Sequence, residues 1–108
     1  MHSCNGSHWM NSVIINESEE EFKSIKIVMH DNGKNITRSV KYNNFPVIRE
    51  CEGLTWVETI PAGGDPVVVA GPKFDYNIRG TSLTANVTIC TEKGFSGICT
   101  TKKLEFNP

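Results

Sequence analysis

Alternation of apolar and polar residues is the main signal in this chain, and it is clearest at residues 81–106. Every second residue of the first arm is apolar, which is the period of a half-buried β-strand. A turn and a second arm ending at Phe106 follow, so the segment predicts a β-hairpin. The predicted inward face consists of Leu83, Ala85, Val87, Ile89, Ile98, Leu104 and Phe106.

The predicted turn of this hairpin is a two-residue turn at Gly94-Phe95, because glycine in the first position suits type II′ geometry. Cys90 then lies opposite Cys99 in a non-hydrogen-bonded pair, whose Cα atoms approach to about 4.5 Å. A disulfide can be closed at that distance. We therefore expect Cys90 and Cys99 to be joined, with both cysteines and Asn86 on the outward face.

A second hairpin is predicted at residues 23–42, where alternating residues lead into Asn32-Gly33, the strongest short signal for a tight hairpin turn. With that pair at the centre of the turn, Asn35 lies on the solvent face. The predicted register pairs Met29 with Ile36, Ile27 with Arg38 and Ile25 with Val40.

The rest of the chain contains short strand-like segments separated by turn residues, and no helical periodicity extends beyond two turns. Trp56 is the largest side chain expected in the core of this part, since a tryptophan among strand formers usually packs inside. The pattern predicts an all-β fold, an antiparallel β-sandwich or Greek-key barrel of about 7–9 short strands. Residues 1–108 are expected to form a single domain, with residues 1–11 as a polar N-terminal arm. Further strands are predicted at residues 12–15, 47–51, 54–60 and 67–70.

Four cysteines are an even number in a short chain, and none has the spacing of a zinc site. Two disulfides are therefore predicted. If Cys90 pairs with Cys99, the remaining pair is Cys4 with Cys51, which ties the arm to the body. The main alternative joins Cys51 to Cys90 and Cys4 to Cys99.

Four Asn-x-Ser/Thr sequons, at Asn5, Asn16, Asn35 and Asn86, are acceptors for N-linked glycans in a secreted protein. The two hairpin registers place Asn35 and Asn86 in solvent without any reference to the sequons. The first ten residues are polar and contain no apolar signal region, so the chain is either cytosolic or begins where a signal peptide was removed. The sequons and the expected disulfides favour a secreted or cell-surface glycoprotein.

The charge balance argues against nucleic acid as a partner. The chain has 11 basic and 12 acidic residues, a formal net charge of −1, and no basic cluster longer than Lys102-Lys103. Binding to phosphates needs a concentrated positive face. The longest apolar runs, at residues 13–15 and 66–70, are far shorter than the roughly 20 residues that span a bilayer, so no transmembrane segment is predicted.

Catalysis is not predicted, because the chain contains three histidines and two of them lie in the arm. His2, Cys4 and His8 make a poor metal site, since an irregular arm does not preorganise ligands. His30 beside Asp31 is expected to be an exposed residue next to a turn. We therefore predict no catalytic residues, no metal and no cofactor.

The function favoured by these observations is a protein-binding module that recognises another protein, for instance a receptor, by surface complementarity. Loops on a rigid β-scaffold commonly carry binding. The candidate binding residues are Phe95 and Lys93 at the hairpin tip and Gly63, Gly64 and Asp65 in a glycine-rich loop.

Two alternatives remain open. A carrier of a small ligand, lipid or glycan predicts an apolar cavity of several hundred Å³ between the sheets. A protease inhibitor predicts one extended, rigid loop presented by the disulfide.

Overall fold

The structure is all-β in the part of the chain that it describes, and its sheets are antiparallel, as predicted. No helix of the length and apolarity needed to span a bilayer occurs among these residues. This computed structural model describes residues 2–4, 6–43, 45–48, 54–57, 59–64 and 66–107. The strands are β1 (His2–Cys4), β2 (Ser7–Trp9), β3 (Asn11–Ile14), β4 (Ser24–Asp31), β5 (Ile36–Tyr42), β6 (Phe45–Ile48), β7 (Leu54–Val57), β8 (Val67–Ala70), β9 (Leu83–Glu92) and β10 (Ser96–Phe106).

A four-stranded sheet in the order β10-β9-β4-β5 is the largest element, and both predicted hairpins belong to it. β4 and β9 are its central strands, whereas β5 and β10 are its edges. Smaller two-stranded sheets are formed by β1 with β2, β3 with β8 and β6 with β7.

One face of the four-stranded sheet forms the core. Ile25, Ile27 and Met29 of β4 and Leu83 and Ala85 of β9 are fully buried, which confirms the predicted inward positions of β9. Burying each such aliphatic side chain stabilises the fold by about 1.5–3 kcal/mol. The other side of the core is supplied from outside this sheet, by Ile14, Phe45, Ile60, Val69, Phe74 and Ile78.

The N-terminal arm is more structured than the sequence indicated. It contains β1 and β2, and Trp9 is fully buried. His8 exchanges two backbone hydrogen bonds with Phe74, at 2.8 and 2.7 Å, which attach the arm to the body. The prediction that Trp56 is a core residue concerns a side chain outside the described part of the chain.

The register of the β9–β10 hairpin is confirmed from Cys99 to Phe106, but its predicted turn is wrong. Ser96 lies opposite Glu92, so the turn has three residues, with Gly94 and Phe95 at positive φ. A β-bulge then restores the predicted register by Cys99. Gly97 permits the bulge at φ 79°, since a Cβ there would lie 2.5 Å from the Thr91 Oγ1 atom.

The register of the β4–β5 hairpin is shifted by two residues from the predicted one. Met29 lies opposite Arg38, and Ile27 opposite Val40, because the connecting loop has four residues rather than two. The Asp31 carboxylate accepts hydrogen bonds from the Gly33 and Lys34 N–H groups, at 2.9 and 3.1 Å, and this side-chain cap replaces the expected Asn-Gly turn. A shift of two keeps the same residues on the core face.

The Cys90–Cys99 disulfide is confirmed, with a Cα–Cα distance of 4.1 Å, and it excludes the alternative connectivity. Only Cys99 is exposed, however. Cys90 is fully buried because it lies on a central strand with a neighbour on each side. The structure describes this one disulfide where the sequence predicted two. The predicted Cys4–Cys51 bond involves Cys51, which lies outside the described residues, and stays a prediction.

Candidate binding surface

The face of the four-stranded sheet that forms the core is not covered at β10 by the described part of the chain. Thr100, Lys102 and Leu104 continue that face, since they lie directly opposite Ile89, Val87 and Ala85 of β9. All residues of β10 from Ser96 to Glu105 are nevertheless exposed. The second side of the core therefore stops short of this strand.

A groove of about 300 Å³ lies at this open side. One wall is the end of β3 with Phe22, and the other is the inward face of β9 and β10. Thr100 and Lys102 are the polar members of an otherwise apolar lining. The groove is lined by Val13, Ile14, Ile15, Phe22, Val87, Ile89, Thr100, Lys102 and Leu104.

Exposed aliphatic side chains border the groove. Val13 is 61% exposed, Ile15 55% and Leu104 37%. Val68, which is 40% exposed, lies directly opposite Val13 and extends the apolar surface onto β8. We call Val13, Ile15 and Val68 the apolar rim. Clustered apolar exposure of this kind marks interaction sites on soluble proteins.

The apolar rim follows from a run of consecutive aliphatic residues, and the sequence-based candidates do not include it. Residues 13–15 are three consecutive aliphatics, whereas a half-buried strand needs only every second one. Ile14 is buried in the core, so its neighbours Val13 and Ile15 must point to the other side of β3. Runs of exposed apolar residues without a function are disfavoured, so the run itself was an available signal.

The two candidate residues at the hairpin tip lie elsewhere. Phe95 is half-buried at φ 60°, and the Lys41 Nζ atom is 5.9 Å from the centre of its ring. The Gly94 N–H donates to the Asn43 Oδ1 atom at 2.7 Å, which fixes the tip against the end of β5. Lys93 is exposed in the turn.

The glycine-rich loop adjoins one end of the groove. The Gly64 N–H donates to the Asn16 carbonyl at 2.8 Å, and Asn16 directly follows Ile15. Gly63 and Gly64 both adopt positive φ, at 100° and 89°. Asp65 lies outside the described residues. The described contacts thus bring this loop, rather than Phe95, close to the apolar rim.

The sequons differ in accessibility. Asn35, in the turn, and Asn86, on the outer face of β9, are exposed. Asn16 is only 1% exposed, and its side-chain nitrogen, the atom that would carry a glycan, donates to the Glu20 carbonyl at 2.6 Å. A glycan on Asn16 is therefore incompatible with this conformation. Asn5 lies outside the described residues.

Asp31 is buried but is held by a complete set of donors. Besides the two backbone N–H groups, the Tyr76 hydroxyl donates to Asp31 Oδ2 at 2.8 Å. Burial raises the pKa of Asp31, but the hydrogen bonds from Lys34, Tyr76 and Gly33 and the charge of Lys34 outweigh it and hold that pKa below its ordinary value. Burial and the Asp31 carboxylate raise the pKa of Tyr76 to about 12.

His30 is not part of this arrangement, because its Nδ1 atom lies 2.7 Å from the Thr37 hydroxyl on the outer face of the sheet. The Asp31 cluster closes the β4–β5 turn. Among the described residues, no group of three or more histidine, cysteine, aspartate or glutamate side chains is placed to hold a metal ion.

Comparison with known proteins adds no relative. No protein-family model matches the chain, and neither the curated proteins nor the solved structures include a significant match.

Proposed function

We propose that this chain is a secreted or cell-surface glycoprotein domain that binds another protein and has no catalytic activity. The observation that carries the proposal is the open groove between β3 and β10 together with its apolar rim. In its finer architecture the domain is a β-sandwich, in which β3, β8 and β6 form the layer opposite the four-stranded sheet.

The groove favours an extended apolar segment as its occupant. A segment bound in the groove would remove Leu104 from water, and a segment that also crosses the outer side of β3 would cover Val13 and Ile15. Each buried Å² of apolar surface contributes about 25 cal/mol. Lys102 and Thr100, on the β10 wall, select a partner that offers an acidic or amide group opposite them.

The extracellular location rests on two kinds of support. The Cys90–Cys99 disulfide suits an oxidising compartment. Asn35, in the β4–β5 turn, and Asn86, on β9, present exposed sequons. Expression in secreting mammalian cells, followed by glycosidase treatment and mass spectrometry, tests this, with glycans expected at these two sites and none at Asn16.

The binding surface is tested by affinity capture from cell-surface and extracellular fractions with the wild type and three variants. Proteins retained by the wild type should be lost with Val13→Lys or Ile15→Lys, because a charge on the apolar rim opposes burial. Ser39→Lys, an exposed substitution on the far edge strand β5, should retain them. Retention of the same proteins by Val13→Lys and Ile15→Lys would place binding elsewhere.

A small-ligand or lipid carrier is the second candidate, and the size of the groove favours it. Its volume of about 300 Å³ lies at the lower end of the range for small-molecule sites. Native mass spectrometry of protein purified from secreting cells distinguishes the two candidates. A carrier should retain a co-purifying small molecule that Leu104→Lys removes, whereas a protein-binding domain should show the mass of the chain and its glycans alone.

A further inference from the structure

β10 leaves a long backbone edge unpaired. The strand spans 11 residues, about twice the usual strand length, and β9 is its one hydrogen-bonded neighbour among the described strands. Exposed edges of this length are templates for pairing with another chain.

The hydrogen-bond alternation shows which groups face the open edge. The Asn32 N–H donates to the Ser82 carbonyl at 2.9 Å, and these two residues are directly opposite each other when the β4–β9 register is extended by one pair. Since hydrogen-bonded pairs alternate along an antiparallel ladder, even-numbered residues of β9 bond to β4 and odd-numbered residues bond to β10. Even-numbered residues of β10 then bond to β9. Its odd-numbered residues direct their N–H and C=O groups away from β9. The close approach of Cys90 and Cys99 agrees, because directly opposed residues are closest where they exchange no hydrogen bonds.

We propose that β10 pairs antiparallel with β10 of a second copy of this chain, about a two-fold axis at Thr101. In this register Thr101 exchanges both backbone hydrogen bonds with its counterpart, and residues 98–104 of the two copies are paired. The two four-stranded sheets become one continuous sheet. Such an interface is isologous, as in most soluble homodimers.

The side chains of β10 are self-complementary in this register. Ile98 is 67% exposed and Leu104 37%, and each Ile98 lies opposite Leu104 of the second copy, so the symmetry creates this apolar pair twice. Thr100 lies opposite Lys102 of the second copy, which leaves room for the lysine side chain to reach solvent.

The two lysines of β10 disfavour the two registers next to Thr101 on its C-terminal side. A two-fold axis at Lys102 or at Lys103 would place identical positive charges directly opposite each other, which is destabilising. Lysines commonly protect sheet edges from unspecific pairing. Here the same residues restrict β10 to few registers. An axis at Leu104 avoids the repulsion as well, but it leaves Ile98 without a partner.

The dimer does not rest on the proposed function, because its hydrogen bonds use the backbone edge of β10. Its side-chain pairs do share Thr100, Lys102 and Leu104 with the lining of the groove. The two are also tested by different measurements, since the dimer is detected as a doubled mass of the purified protein and the groove by a bound partner.

Sedimentation equilibrium over a wide concentration range tests the dimer. The wild type should show a concentration-dependent mass of two copies. Thr101→Pro should weaken dimerisation by about tenfold or more, since it removes two intermolecular backbone hydrogen bonds but no backbone bond to β9. It also removes the hydroxyl contact of Thr101 with Thr88 of β9, at 2.8 Å, so Thr101→Val, which loses that contact but keeps the N–H, should dimerise like the wild type. Ser39→Pro is the matched control, because its N–H faces the free edge of β5 by the same alternation, and it should dimerise like the wild type.

A wild type that stays monomeric at all concentrations would overturn the proposal, and so would a dimer that Thr101→Pro leaves intact. Circular dichroism and the retained disulfide report whether each variant is folded. A variant that fails to fold is replaced by Thr101 with an N-methylated backbone, introduced by chemical ligation, which removes the same donor.

Cysteine cross-linking tests the register. Under mild oxidation Thr101→Cys should give a covalent dimer, because the Cα atoms of the symmetric pair lie about 5.5 Å apart. Leu104→Cys should not, since the two substituted residues would be far apart along the strands. The reverse result would refute the axis at Thr101.

Discussion

β5 and β10 are the two edge strands of one sheet, yet their burial differs greatly. In β5 alternate residues are half-buried, and Val40 and Tyr42 pack against the core. β10 is exposed from Ser96 to Glu105. An edge position therefore does not determine exposure, which depends on whether a distant part of the chain covers the strand.

The cover over β5 comes from residues 74–78. Tyr76 reaches Asp31, and the Asp75 carboxylate lies 3.9 Å from the Arg38 guanidinium. Phe74 and Ile78 enter the core beside them. β10 has Phe106 as its one partly buried residue, so its inward face remains available for a partner.

The turns next to these edges are also stabilised differently. A buried carboxylate closes the β4–β5 turn, and Lys34 adds a cation–π contact with its Nζ atom 3.8 Å from the centre of the Tyr76 ring. A disulfide and a β-bulge close the β9–β10 turn. Four experiments separate the contributions of these two regions.

Removing the carboxylate should have the largest effect. We expect Asp31→Ala to lower the free energy of unfolding by about 3 kcal/mol, because it removes a buried side chain that accepts three hydrogen bonds, from the Gly33 and Lys34 N–H groups and the Tyr76 hydroxyl. Urea denaturation measures the loss. Asp75→Ala, at an exposed ion pair, should change it by less than about 0.5 kcal/mol. Equal losses in the two variants would contradict the role given to Asp31.

Removing the disulfide should cost slightly less. Cys90→Ala with Cys99→Ala opens a loop with a sequence separation of 9 and should lower the free energy of unfolding by about 2–3 kcal/mol. The same denaturation experiment measures it. A loss below about 1 kcal/mol would mean that the bulged turn holds the hairpin register without the covalent bond.

Acid should reduce the stability that the Asp31 carboxylate gives to the β4–β5 turn. Since the pKa of Asp31 is lower in the folded state than its ordinary value of 3.8, its contribution is complete above that value and is lost as the pH falls through the folded-state pKa. The stability difference between the wild type and Asp31→Asn should therefore shrink below about pH 4. Urea denaturation at a series of pH values measures it, with Asp75→Asn as the control. A difference that is constant with pH would show that the charge of Asp31 is not involved.

Truncation of the exposed edge should have the smallest effect. In the monomer, at low protein concentration, Ile98→Ala should change the free energy of unfolding by less than about 0.5 kcal/mol. Val40→Ala on β5 should cost about 1 kcal/mol, because that side chain packs against the core. Thermal unfolding of both variants tests the contrast, which disappears if β10 is covered in the monomer.

Several parts of this picture were predictable from the sequence. The inward residues of β9, the pairing of Cys90 with Cys99 and the hairpins themselves follow from alternation and turn residues. The candidate surface was harder to predict. The sequence shows that Val13 and Ile15 belong to an apolar run, but it does not show that they are exposed. Phe95 was one of the candidate binding residues; its ring lies 5.9 Å from the Lys41 Nζ atom, and its part in binding stays a prediction.

The sequence by itself determined which residues share a strand face, because side chains alternate with period two whatever the surroundings. It also determined the pairing of β9 with β10 that places Cys90 opposite Cys99. Only the tertiary structure decided the length of the β4–β5 turn, since the Tyr76 hydroxyl that completes the Asp31 cap comes from 45 residues away. The same is true of the open edge at β10, because coverage of a strand depends on where distant segments of the chain are placed, and no local pattern records that.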